Sequence, residues 1–161
     1  MAKRKTVENN EIANIDLSIT QKQRFSIDGD KNRVLEINIQ DMNMPSRFYE
    51  VQEEMEQITK EWAEKVESWS DDADDETNKQ IAKEIKELDT LLRQKLDYVF
   101  DANMSEVTAP YGSMFDFIHG KFRYAYILDV IASLYEETIK KETQLMLQNM
   151  EKHTSKYSKS K

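Results

Sequence analysis

Two long apolar stripes at helical spacing constrain the fold of this chain more than any other feature. Each stripe marks one face of an amphipathic helix. An acidic stretch, SDDADDET at residues 70–77, separates them. Two such helices joined by a short polar loop predict an antiparallel helical hairpin. The first stripe consists of Phe48, Val51, Met55, Ile58, Trp62, Val66 and Trp69, and the second of Ile81, Ile85, Leu88, Leu92, Leu96 and Val99.

Neighbouring residues indicate where these helices begin and end and whether their apolar faces are buried. Pro45 favours a helix start close by, because proline suits the first turn, and the second helix is predicted over about residues 78–100. We expect the first stripe to lie in the core, and a partner groove built on Trp62 and Trp69 is the alternative. The acidic loop is read as solvated and as a source of helix caps rather than as a cation site.

The region before the first helix alternates apolar and polar residues, which is strand spacing. Residues 14–19, 24–27 and 33–39 each show it, so we predict a hairpin or small meander over residues 14–40, after a disordered tail at residues 1–12. The turn at residues 28–32 has the Asp and Asn spacing of an EF-hand loop. That loop needs Gly and Glu where this chain has Arg33 and Ile39. We therefore expect a hairpin turn with left-handed Asp, Gly or Asn residues.

Aromatic residues are concentrated between positions 111 and 135. This stretch holds three of the 6 Phe and four of the 7 Tyr, so it should anchor the chain through apolar burial. Residues 101–120 lack a period, and we predict a short helical turn at residues 114–119. A last helix is predicted over about residues 121–152. Its second half could project as an amphipathic arm before a basic tail at residues 153–161.

Composition limits the class of protein. The chain has 161 residues, 34% of them charged and 39% hydrophobic, with only 3 Gly and 2 Pro, which favours one largely helical domain (residues 13–152) over an all-β fold. It has no Cys, so a reducing, cytoplasmic setting is expected. No apolar run is long enough to span a membrane. The net charge of −8 disfavours nucleic acid as a partner.

No catalytic motif is present, so we predict no enzyme, no cofactor and no metal. The sequence lacks a phosphate-binding loop, a nucleophile elbow and an HExxH motif. Asp116 and His119 could share a helix face as metal ligands, but a hydrogen-bonded His is the simpler reading. Arg123 lies between Phe122 and Tyr124, which suggests a stacking platform for nucleic acid, and the acidic chain argues against that use.

The layout resembles the tail assembly chaperones of long-tailed, siphovirus-like bacteriophages. The matching parts are the strand region IDLSITQKQRFSIDGDKNRVLEINI, the helical body, the loop DYVFDANMSEVTAPYG, the closing helix and the polar tail KHTSKYSKSK. The resemblance implies a protein that coats the tape measure protein, keeps it soluble, helps recruit major tail protein and is absent from the mature virion. It also implies self-association and action in the host bacterial cytoplasm.

These observations predict an α+β, mainly α fold, with an N-terminal hairpin packed on a body of three main helices. A helical adaptor, or a scaffold or connector protein of a phage head or of the host, remains the alternative function. We expect partner contacts among the aromatic-rich residues, although at least half of these should be buried in the protein's own core. The candidates are Phe115, Phe117, Phe122, Arg123, Tyr124 and Tyr126.

Overall fold

The structure, a computed structural model, describes residues 22–158, and the side chains up to residue 152. It confirms the α+β, mainly α fold class. The predicted strand at residues 14–19 and the predicted tail at residues 1–12 lie outside the described residues. The elements in order are β1 (Gln23–Ile27), β2 (Asp30–Ile37), α1 (Met44–Ser68), α2 (Asp75–Phe100), α3 (Met104–Thr108), a 3-10 turn (Ala109–Tyr111), β3 (Phe117–Ile118), β4 (Lys121–Phe122) and α4 (Arg123–Ser158).

The N-terminal hairpin forms where the alternating residues predict it. β1 and β2 pair antiparallel, with Phe25 opposite Leu35. Asp28 and Gly29 turn the chain with φ of 53° and 74°, the left-handed backbone that a two-residue hairpin loop requires. The hairpin interpretation of this turn is therefore confirmed. Leu35 and Ile37 face the interior and are 3% and 0% exposed.

The two apolar stripes form the predicted helical hairpin. α1 has Pro45 in its first turn, and α2 begins at Asp75, slightly earlier than predicted, because Asp74 caps it by accepting a hydrogen bond from the Thr77 backbone N–H. Buried side chains of both helices belong to one core. The end of the first stripe is left partly uncovered, since Val66 and Trp69 are 42% and 47% exposed.

The connection between α2 and α4 differs from the prediction. The helical turn expected at residues 114–119 is wrong: this segment leads into the two-stranded hairpin β3–β4, and the short helix lies earlier, at α3. A hairpin forms here instead of a helical turn because His119 and Gly120 adopt left-handed angles, with φ of 51° and 77°. These angles bring Phe117 opposite Phe122. Since residues 121–122 belong to β4, α4 begins at Arg123 rather than at residue 121.

The core lies where α1, α2, β2 and the start of α4 meet. Met114 and Phe115, from the connection before β3, are inserted into it and are 0% and 2% exposed. α4 continues beyond the core through Ser158, so residues 153–158 of the predicted tail are helical. No helix in the described part of the chain has the length and hydropathy needed to span a membrane.

Candidate functional site: an aromatic hairpin

The aromatic-rich stretch forms a cluster of rings around the β3–β4 hairpin. We call Trp62, Phe115, Phe117, Phe122 and Tyr124 the aromatic cluster. The rings of Trp62 and Phe115 are stacked with centroids 4.8 Å apart, and the ring of Phe122 meets that of Trp62 edge-on at 5.2 Å. Such ring pairs add stability beyond the area they bury. The cluster therefore ties the hairpin to the C-terminal half of α1.

The six candidate contact residues separate into an inner and an outer group. Phe115 is 2% exposed, and Phe122 and Tyr124 are partly buried against the core. These three rings chiefly hold the fold. Phe117 is 73% exposed and Tyr126 39% exposed, so these two rings are accessible to a partner. Of the six candidates, Phe115 is therefore buried, and Phe122, Arg123 and Tyr124 are only partly buried.

Arg123, the remaining candidate, is engaged inside the protein. Its Nε donates to the Ser113 carbonyl at 3.1 Å, and its Nη2 lies 3.2 Å from Asp116 Oδ2. Its guanidinium also lies 5.2 Å from the centre of the Tyr111 ring. Arg33 covers the same ring at 4.2 Å. The arginine does stack on an aromatic ring, but on one from its own chain, and its side chain is only 15% exposed.

Hydrogen bonds from α2 fix the segment that leads into the hairpin. Asp89 Oδ1 accepts from the Ser113 hydroxyl at 2.8 Å and from the Met114 backbone N–H at 2.5 Å. Asp89 Oδ2 accepts from Arg93 Nε at 2.8 Å. Arg93 in turn donates to Thr108 Oγ1 and to the Gly112 carbonyl. This pair of charged side chains thus sets where the buried Met114 and the hairpin begin.

In the described residues, neither the turn at residues 28–32 nor the pair Asp116 and His119 is arranged as a metal site. Among them, no group of three or more His, Asp or Glu side chains is placed to hold a metal ion. Asp116 pairs with Arg123, and the His119 ring lies 5.7 Å from the Tyr126 ring. In the β1–β2 turn, Asp30 Oδ1 accepts from the Asn32 backbone N–H at 2.8 Å, which is a turn contact.

A second exposed apolar region lies at the far end of α4. We call residues 139–150 the arm. Four of its apolar side chains are between 51% and 58% exposed: Leu145, Met146, Leu147 and Met150. The periodicity of the sequence predicts this amphipathic arm. It does not predict an apolar groove on the first half of the same helix, which depends on how α1 and α4 pack.

Comparisons with protein-family models, with curated proteins and with solved structures found no match.

Proposed function

We propose that this protein is a non-enzymatic tail assembly chaperone of a long-tailed bacteriophage. In this role it binds the tape measure protein in the host cytoplasm, keeps it soluble, helps recruit major tail protein and self-associates, and it is absent from the mature virion. The order of elements supports the proposal, because an N-terminal hairpin followed by a helical body, a loop and a closing helix is the layout that the resemblance implies.

The single observation that carries the proposal is the exposed ring of Phe117. This ring is 73% exposed, yet its centroid lies 4.9 Å from that of Phe122, which belongs to the aromatic cluster. A partner that covers Phe117 gains apolar burial and loses little side-chain freedom. Protein interfaces draw most of their affinity from a few such anchors. Phe117 is therefore the best placed candidate anchor for a client helix.

The charge of the protein suits a chaperone that must keep an apolar client in solution. The net charge is −8, and a net charge far from zero opposes aggregation of the protein and of anything it coats. The same charge repels nucleic acid phosphates. A protein client is thus favoured over a nucleic acid.

The proposal is tested by co-expression with the tape measure protein, followed by size-exclusion chromatography with light scattering. We expect the tape measure protein to be soluble only in the presence of this chain, and the two to co-elute with several copies of this chain per client. Separate elution would overturn the proposal and would favour the helical adaptor instead.

The variant Phe117→Ala tests whether the aromatic hairpin makes the contact. We expect the amount of co-eluting tape measure protein at limiting concentration to fall about tenfold, equivalent to about 1.4 kcal/mol. The matched control is Met42→Ala, which truncates a side chain that is 68% exposed and lies outside the aromatic cluster. Equal effects of both variants, or none from Phe117→Ala, would remove the hairpin from the client contact.

A further inference from the structure

An apolar groove runs along the first half of α4. It has a volume of about 480 Å³ and lies between the start of α1, the end of α2 and α4. Ala125 and Ala132 leave space on the α4 side, and Phe48 and Tyr49 line the α1 side. Among the described residues that line it, the charged ones are both acids, Asp129 and Glu136. Grooves of this kind accept the apolar face of an amphipathic helix.

The arm presents such a face. At about 100° per residue, the positions of Ile139, Thr143, Met146, Leu147 and Met150 fall within one sector of about 100°. Leu145 lies about 150° from the middle of that sector, although its exposure of 51% equals that of Leu147. The stripe and this off-stripe leucine can therefore be tested separately.

The groove and the arm also agree in length and in charge. The groove residues on α4 run from Ala125 to Glu136, and the stripe runs from Ile139 to Met150, so each covers about 17 Å of helix. The arm continues into residues 151–161, EKHTSKYSKSK, with four Lys against one Glu. These lysines are opposite in sign to the two carboxylates of the groove, which within one chain pair with Lys121 and Lys140.

The arm cannot fill the groove of its own chain. Both lie on one continuous helix, Arg123–Ser158, and the stripe starts only three residues after the last groove residue. A helix cannot fold back on itself within that distance without breaking its backbone hydrogen bonds. The helix that fits the groove must therefore come from another molecule.

We propose that the arm of one copy of this protein packs into the α4 groove of a second copy. Each copy then offers one groove and one arm, and the two surfaces differ, so copies can join in a reciprocal pair or in a longer row or ring. The inference names the surfaces for the self-association included in the proposed function and rests on it to that extent. The test uses no client protein, so a negative result for this contact is distinct from a negative result for the client contact.

Light scattering on full-length variants tests the contact. The wild-type chain at about 200 µM, well above a micromolar Kd, should have a mass of at least twice the 19.0 kDa of one chain. Ala132→Trp fills the groove and Leu147→Glu charges the stripe, so each should reduce the mass to that of one chain. The matched controls are Ser133→Trp, at an exposed position outside the groove, and Leu145→Glu, and both should keep the wild-type mass.

Mixing the two defective variants shows whether the groove and the arm meet each other. Ala132→Trp retains an arm and Leu147→Glu retains a groove, so an equimolar mixture should form one-to-one pairs of twice the single-chain mass. Circular dichroism verifies that each variant is folded. A monomeric wild type, a mixture that stays monomeric, or an Ala132→Trp protein that still assembles would overturn the proposal, and the last result would indicate contact between arms.

Discussion

At the scale of single residues, Asp89 is the side chain on which the position of the candidate site depends most. It accepts three hydrogen bonds, from Ser113, Met114 and Arg93, and the side chains of Arg93 and Asp89 are only 12% and 16% exposed. Polar groups that lose their partner away from water are costly. The Asp89 carboxylate therefore helps to anchor the segment that leads into the aromatic hairpin.

We predict that Asp89→Ala lowers the free energy of unfolding by about 3 kcal/mol, because it leaves Arg93 Nε and the Met114 N–H without their acceptor and removes the negative charge beside Arg93. Urea denaturation followed by circular dichroism measures the change. Glu87→Ala is the control. It removes an i,i+4 pair with Lys83 in which both side chains are more than 60% exposed, and exposed pairs of this kind contribute little. A similar small decrease in the free energy of unfolding for both variants would contradict the role given to Asp89.

At the scale of elements, the β3–β4 hairpin depends on backbone conformation at its turn. Gly120 has a φ of 77°, and a Cβ added there would meet nothing within 4 Å. Gly120→Ala should therefore cost about 1 kcal/mol through backbone strain alone. Thermal unfolding measures this loss.

His119→Asn should instead raise the stability of the protein, because Asn tolerates the left-handed φ of 51° better than His does. Unchanged melting temperatures in both variants would contradict this account of the turn.

This hairpin also marks the limit of what the sequence can predict. α1 and α2 are predictable because each apolar stripe repeats over about five to six turns, which sums many weak preferences. Strands of two residues are too short to show a period. The signal in FIHGKF is a Gly-containing two-residue turn between the pairs Phe117-Ile118 and Lys121-Phe122. The aromatic concentration locates the site. Which rings are exposed depends on hairpin register, and the Asp89 contacts depend on packing between distant segments.

At the scale of the whole molecule, one ion pair joins the connection after the N-terminal hairpin to α1 and to the end of α2. Asp41, in the connection between β2 and α1, lies 2.7 Å from Arg47 Nη2, and the two side chains are 18% and 17% exposed. Arg47 Nε donates to the carbonyls of Tyr98 and Val99 at the end of α2. Burial by itself raises the pKa of Asp41, but the hydrogen bond from the Asn43 backbone and the charge and hydrogen bond of Arg47 outweigh it, so this pKa lies below 3.8.

A lowered carboxylate pKa determines how stability changes with pH. The folded protein holds the Asp41 proton less tightly than the unfolded chain does, so the contribution is fully present above the unfolded pKa and is lost as pH falls through the folded value. The pKa of Glu84 is lowered mainly by a hydrogen bond from Lys65, and that of Asp74 mainly by the Thr77 backbone N–H. All three carboxylates therefore stabilise the protein at neutral pH and lose this contribution as the pH falls.

We accordingly predict that the free energy of unfolding changes little between about pH 7 and pH 5 and falls steeply below about pH 4, where these carboxylates bind protons. Urea denaturation at a series of pH values measures the curve. Asp41→Asn should be less stable than the wild type at pH 7, and the difference should shrink towards pH 3, because the variant has no proton to bind at this position. Asp71→Asn, which removes an exposed carboxylate far from Arg47, should leave the curve parallel to that of the wild type. A constant gap between Asp41→Asn and the wild type at every pH would show that the ion pair does not control the acid response, and the growing positive charge of the chain below its isoelectric point would then be the cause.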